Sequence, residues 1–124
     1  MRKRSPVLTE QELEIMKIVW RRGEATVREV YEEILDRRKI AYTTVMTMLG
    51  VLEGKGHLEK VADEKAYVYR PTRPKEEVIA SMVTDFVSRV FDGSARPLME
   101  HLIRSEQLTC EELAEITSAG SDAN

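Results

Sequence analysis

A chain of 124 residues suffices for one ordinary domain, or for a small domain with an appendage. Its 42% hydrophobic and 33% charged residues fit a folded soluble protein, and no apolar run approaches the roughly 20 residues that cross a bilayer. The net charge of −3 hides an asymmetry: residues 1–70 carry 14 Lys and Arg against 12 Asp and Glu (+2), and residues 71–124 carry 5 against 10 (−5). A small basic excess in the N-terminal part is compatible with a nucleic-acid partner but is a weak signal alone. The opening "MRKRSPVLTE" has no apolar stretch behind its basic cluster, so no secretory signal and no membrane insertion are expected. The lone Cys110 excludes an intramolecular disulfide, and a cytoplasmic location is expected.

A first helix is predicted over "LTEQELEIMKIVWRRG". Thr9 and Glu12 have capping-box spacing, and Leu8 can staple onto Leu13. Leu13, Met16 and Trp20 follow a helical stripe widened by Ile15, Ile18 and Val19, and Gly23 stops it. Thr26 and Glu29 repeat the device before a second helix, whose predicted buried side is Val27, Val30, Tyr31, Ile34 and Leu35. A third helix spans "AYTTVMTMLGVLEGKG". At 100° per residue, Val45, Met48, Leu49 and Leu52 cluster on one side. Thr43, Met46, Thr47, Gly50 and Gly54 take the opposite side, with Thr44 at the boundary and Tyr42 in the first turn. Gly56 is the expected stop.

Two short strands around the polar turn "ADEKA" are expected next, one with Leu58 and Lys60, the other with Tyr67, Val68 and Tyr69. Pro71 and Pro74 end the second strand. Three helices and a β-hairpin outline a winged helix-turn-helix. After Pro74 the pattern changes: Val78, Ile79, Met82, Val83, Phe86, Val87, Val90 and Phe91 recur at helical spacing. That stripe is too apolar for a lone helix in water and calls for a partner surface. "DGS" breaks the helix, two shorter helices follow, the last with a Thr109–Glu112 capping box, and the tail "TSAGSDAN" is expected to fray.

The third helix raises a functional question. Thr and Gly are poor helix formers, yet they crowd its outward side. One explanation is a face laid in a DNA major groove, where Thr hydroxyls and Met and Thr methyls meet base edges. Tyr42 and Thr43 at the helix start suit phosphate contacts, and Gly50 would let the duplex come close. The other explanation is that these side chains are simply exposed. Lys65 in the hairpin turn and Lys60 before it suit backbone contacts, which Asp63 and Glu64 weaken, and Arg2, Lys3 and Arg4 could form a basic arm. His57, His101 and Cys110 have no metal-ligand spacing. No phosphate loop or nucleophile motif is present, and acidic pairs such as Glu32–Glu33 fit solvated helix faces. No catalytic residue, metal or cofactor is expected. His57 is expected to pack at a strand start.

Taken together, "LTEQELEIMKIVW", "ATVREVYEEI", "AYTTVMTMLGVLEGKGHLEK" and "YVYRP" resemble the BlaI/MecI/CopY family of bacterial repressors, from about Leu8 to Ile116. The resemblance implies a mainly α fold with a small β-hairpin: a winged helix-turn-helix DNA-binding domain (1–73) plus a C-terminal helical dimerisation domain (74–124). It implies a homodimer on palindromic double-stranded operator DNA. The positions matching the family's DNA contacts are Tyr42, Thr43, Thr44, Met46 and Thr47, with Lys65 on the wing. The stripe from Val78 to Phe91 would meet the same segment of a second subunit. In the β-lactam branch, a membrane metalloprotease sensor triggers cleavage in the dimerisation domain.

Three departures stand out. Gly50 and Val51 replace a polar residue and an Arg common in the family, so a phosphate contact from that Arg is missing. His101–Leu102 stands where the β-lactam repressors are cut at Asn-Phe. Cys110 alone does not supply the cysteines of the copper-responsive branch. A competing reading, favoured by the net acidity, is a winged-helix protein-interaction module without specific DNA binding.

Overall fold

The computed structural model describes residues 8–62 and 65–122. Its elements are α1 (Glu10–Arg22), β1 (Ala25–Thr26), α2 (Val27–Leu35), α3 (Tyr42–Gly54), β2 (Leu58–Ala62), β3 (Tyr67–Pro71), α4 (Lys75–Phe91), α5 (Arg96–Arg104) and α6 (Cys110–Asp122). They form two units that divide between Met82 and Val83. Arg2, Lys3 and Arg4, the turn residues Asp63 and Glu64, and Asn124 lie outside the described residues.

The first unit is a winged helix. Both of its predicted capping boxes form: Thr9 with Glu12 starts α1, and Thr26 with Glu29 starts α2, each satisfying two otherwise orphan amides. At Gly23 the backbone turns to φ +88, a conformation costly for any residue with a Cβ, and the Gly23 amide closes α1 by donating to the Val19 carbonyl. The core gathers Ile15, Met16, Ile18 and Val19 from α1, Val30 and Ile34 from α2, and Val45, Leu49 and Leu52 from α3, with Leu8, Leu58 and Tyr69 closing it. Leu8 is buried, and Leu13 packs against the same core.

The hairpin pairs antiparallel with Leu58 opposite Pro71, Lys60 opposite Tyr69 and Ala62 opposite Tyr67. A third strand, absent from the sequence expectation, joins it. Ala25 and Thr26 pair with Tyr69 and Val68, giving the order β1-β3-β2. Two residues are too few to show an alternating pattern, and Thr26 already carries the capping signal of α2. His57 is buried at the α3–β2 junction: its amide donates to the Leu52 carbonyl, and its carbonyl accepts from the Thr72 amide.

Three expectations need correction. Leu35 is 43% exposed, because it is the last residue of α2 and points to the edge of the stripe centred on Val30 and Ile34. The tail does not fray at Thr117: α6 continues to Asp122, and the Thr117 hydroxyl donates back to the Leu113 carbonyl. Val78, placed by sequence in the partner-seeking stripe, is 2% exposed and belongs to the first unit's core, with Met82 packed against it. The first two turns of α4 are held there by a relay. The Trp20 indole donates to the Arg73 carbonyl at 3.2 Å, and the Arg73 guanidinium donates to Glu77 at 2.6 Å and to Ser81 at 3.3 Å.

The second unit comprises the rest of α4 with α5 and α6. None of its described residues is buried. Phe86 and Phe91 meet edge-on with centroids 5.8 Å apart, and the Thr109–Glu112 box caps α6.

One carboxylate of the first unit has two tasks. Glu12 closes the capping box of α1 by accepting the Thr9 amide, and its other oxygen accepts a 2.7 Å hydrogen bond from the Lys55 ammonium, at the C-terminal cap of α3. Burial pushes the Glu12 carboxyl up, but Lys55 and the Thr9 amide more than offset this and hold it below the ordinary carboxylate range. A depressed acid contributes stability that is present above its unfolded pKa and is lost as pH falls through the folded value. Glu12→Gln is therefore expected to cost about 1–2 kcal/mol near neutrality. It should also flatten the acid limb of the stability profile, checked by thermal unfolding between neutral and strongly acidic pH.

Candidate nucleic-acid interface

Helix α3 has no side-chain N-cap. Ala41 sits in the extended region at its start, and only the Ala41 carbonyl is engaged there, by the amides of Thr44 and Val45. What holds the helix is its inner side: Val45, Leu49 and Leu52 have no exposed surface at all. Three such side chains contribute on the order of 1.5–3 kcal/mol each. The Thr and Gly residues on the outer side cost a few tenths to about 1 kcal/mol each. Burial wins, so tertiary packing imposes a helix on a segment whose outer face disfavours one.

The outer face is as the periodicity predicts. Thr43, Thr44, Met46, Thr47, Gly50 and Gly54 are all exposed, Met46 to 48%. Tyr42 stands at the edge in a defined pose. Its ring meets Tyr31 edge-on at 5.3 Å, and the Arg28 guanidinium lies 5.8 Å from its centroid. A shallow groove runs beside the face, lined by Gln11 of α1 and by Thr43, Thr44, Thr47 and Met48. Its hydrogen-bonding side chains are uncharged. Lys65 is exposed in the hairpin turn. The structure thus brings Tyr42, Thr43, Thr44, Met46 and Thr47 onto one continuous face.

Sequence reasoning missed Arg28 and Gln11. Both reach this face only through the packing of α1 and α2 on α3, and neither position carries a local signal. Gly50 has ordinary helical backbone, and a Cβ built on it meets nothing within 4 Å. Nothing within the protein therefore demands glycine there.

A model of the penicillinase repressor family matches residues 8–119. The chain belongs to that family. Among its relatives is the transcriptional regulator BlaI of Mycobacterium tuberculosis, 35% identical over 98 residues, covering 77% of this chain and 71% of that protein. The penicillinase repressor of Bacillus licheniformis is 27% identical over 114 residues, covering 92% of this chain and 89% of that protein. A similar solved structure is the monomeric form of B. licheniformis BlaI in complex with the blaP half-operator. It has a TM-score of 0.52 and 28% identity over 62% of this chain and 93% of that one. In this penicillinase repressor family member the outward helix face carries Thr, Gly and Met46 over an inner side held by the buried Val45, Leu49 and Leu52.

Two variants of the outer face separate binding from stability. Met46→Ala with Thr47→Ala should leave thermal stability within about 0.5 kcal/mol. The same pair should weaken binding to a specific duplex by about 1–3 kcal/mol for each base edge the two side chains read, measured by titration against a scrambled competitor. Gly50→Ala should stabilise the free protein by up to about 1 kcal/mol through helix propensity. If this face meets a duplex, the same change should nonetheless weaken binding, because the added methyl stands on it. Opposite signs in melting and titration are the expected signature.

Proposed function

We propose that this protein is a sequence-specific DNA-binding transcriptional repressor that acts as a homodimer on a palindromic operator. The observation that carries the proposal is the outer face of α3. Its Thr and Gly residues are kept exposed beside Met46 at a cost in helix propensity, on a helix whose rotation is fixed by complete burial of Val45, Leu49 and Leu52. The naming of relatives as repressors supports the reading, as does the half-operator complex of a similar protein. Tyr42 and Thr43 contact phosphates, while Thr44, Met46 and Thr47 face base edges. Lys65 adds a backbone contact from the wing.

The second unit supports the dimer. Val83, Phe86 and Val90 are 41–51% exposed on one stripe of α4, with Val87 half-buried between them and Phe91 beyond. A helical unit of this size with no buried residue among those described gains its core from a second copy. Ile79, half-buried, lies at the start of the stripe, and Val78 lies inside the first unit's core. His101 and Leu102, the cleavage region if a membrane metalloprotease sensor relieves repression, sit inside α5, where their carbonyls accept the Ser105 and Gln107 amides, so cleavage there requires that turn of helix to open first.

The test is a titration of the purified protein against the DNA upstream of its own gene, with a scrambled duplex as competitor, at two salt concentrations. Binding that survives the competitor and weakens steeply with salt is expected. Equal loss on both duplexes would favour a protein-interaction module instead. Phe86→Glu should convert a dimer into a monomer in sedimentation and weaken operator binding strongly, and a monomeric wild type would contradict the dimer.

A further inference from the structure

Six of the described cations of the first unit face a carboxylate at close range. Arg21 and Arg22 pair with Glu33, Arg38 with Glu14, Lys55 with Glu12, Arg70 with Glu24 and Arg73 with Glu77. Lys60 is held differently. Its ammonium lies 4.5 Å from the centroid of the Tyr67 ring, and among the described residues the carboxylate it approaches is Glu53, at 4.0 Å, the outer limit of an ion pair. Both partners of that pair are more than a third exposed, so the attraction is weak. An aromatic face orients a cation without cancelling its charge. Tyr67 itself is 55% exposed, an unusual position for a large aromatic side chain on a short strand.

The placement is specific. Lys60 lies opposite Tyr69 in the hairpin and Ala62 lies opposite Tyr67, so Lys60 and Tyr67 are diagonal neighbours on one face. Glu59 and Arg70, opposite each other, occupy the other face. On α3, Met46, Gly50 and Glu53 fall at i, i+4 and i+7, a single line along the helix. The Lys60–Glu53 approach therefore sets the Lys60–Tyr67 pair beside the Met46–Gly50 edge of the contact face. The Gln11 groove opens beside Thr43, Thr44 and Thr47, on the other edge.

We infer that Lys60 and Tyr67 form a clamp for a DNA phosphodiester, in which Lys60 leaves Glu53 for the phosphate and the Tyr67 hydroxyl donates a second hydrogen bond to it. The ring holds the ammonium in place before the duplex arrives, so little side-chain freedom is given up on binding. The clamp positions the duplex and carries no base information. This inference rests on the DNA-binding reading above and adds a second wing contact, distinct from Lys65.

The experiment measures operator affinity between 50 and 200 mM salt for the wild-type chain and for Lys60→Gln, Tyr67→Phe and Arg70→Gln. Lys60→Gln is expected to weaken binding and to make the slope of log affinity against log salt shallower by about 0.9 per subunit bound. Its deficit relative to wild type then shrinks roughly threefold per subunit across that salt range. Tyr67→Phe keeps the ring under Lys60 and removes only the hydroxyl, so affinity should fall with the slope unchanged. Arg70→Gln removes an equal charge from the opposite face of the same hairpin and should leave the slope alone. A wild-type slope for Lys60→Gln, or the same slope change in Arg70→Gln, would overturn the clamp. Tyr67→Phe binding like wild type would remove the tyrosine from it. A wild-type chain that binds no operator would defeat the DNA-binding reading itself, before any variant is compared.

Discussion

Complete burial of Val45, Leu49 and Leu52 is the constraint on which everything else in the first unit depends. With those three side chains inside, helix α3 has only one rotation about its axis, and that rotation places Thr43, Met46, Thr47 and Gly50 outward. Glu12 fixes the other degree of freedom. It completes the capping box of α1 and also holds Lys55 at the end of α3, so α3 is tied along its axis to α1. A site built this way needs no rearrangement to present its face. It also tolerates weak helix formers outside, because the inner side supplies the stability.

The same physics explains what could be read from sequence and what could not. Features that repeat with helical period were legible: the capping boxes at Thr9, Thr26 and Thr109, the inner and outer sides of α3, and the two hairpin strands. They are encoded in residues three or four apart, or in alternation. Features made by long-range packing were not. Strand β1 is two residues long and hydrogen-bonds to a strand over forty residues away. Val78 carries the same apolar signal as Val83, and only the tertiary structure separates a core residue from an exposed one. Arg28 beside Tyr42 and Lys60 over Tyr67 are likewise products of juxtaposition.

The two units contrast in how they reach stability. The first has a buried core drawn from all of its helices and from its sheet, and it absorbs the opening turns of α4 through Val78 and the Trp20–Arg73 hydrogen bond. The second has amphipathic helices and no buried residue among those described. In the proposed dimer this division is functional: one unit presents a rigid contact face, and the other completes its core only in association. Association then sets how many contact faces meet one stretch of DNA, and two weak half-site contacts become one strong one.

The most direct test is methyl NMR of the methionines with and without an operator duplex. Met46 stands on the outer face, Met16 is buried in the core, and Met99 belongs to the second unit. If α3 lies in the groove as described, the Met46 methyl shifts strongly and shows cross-relaxation to base or thymine-methyl protons, while Met16 and Met99 hardly move. A Met46 signal unchanged in a chain that is fully bound to the duplex would contradict the assignment of this face.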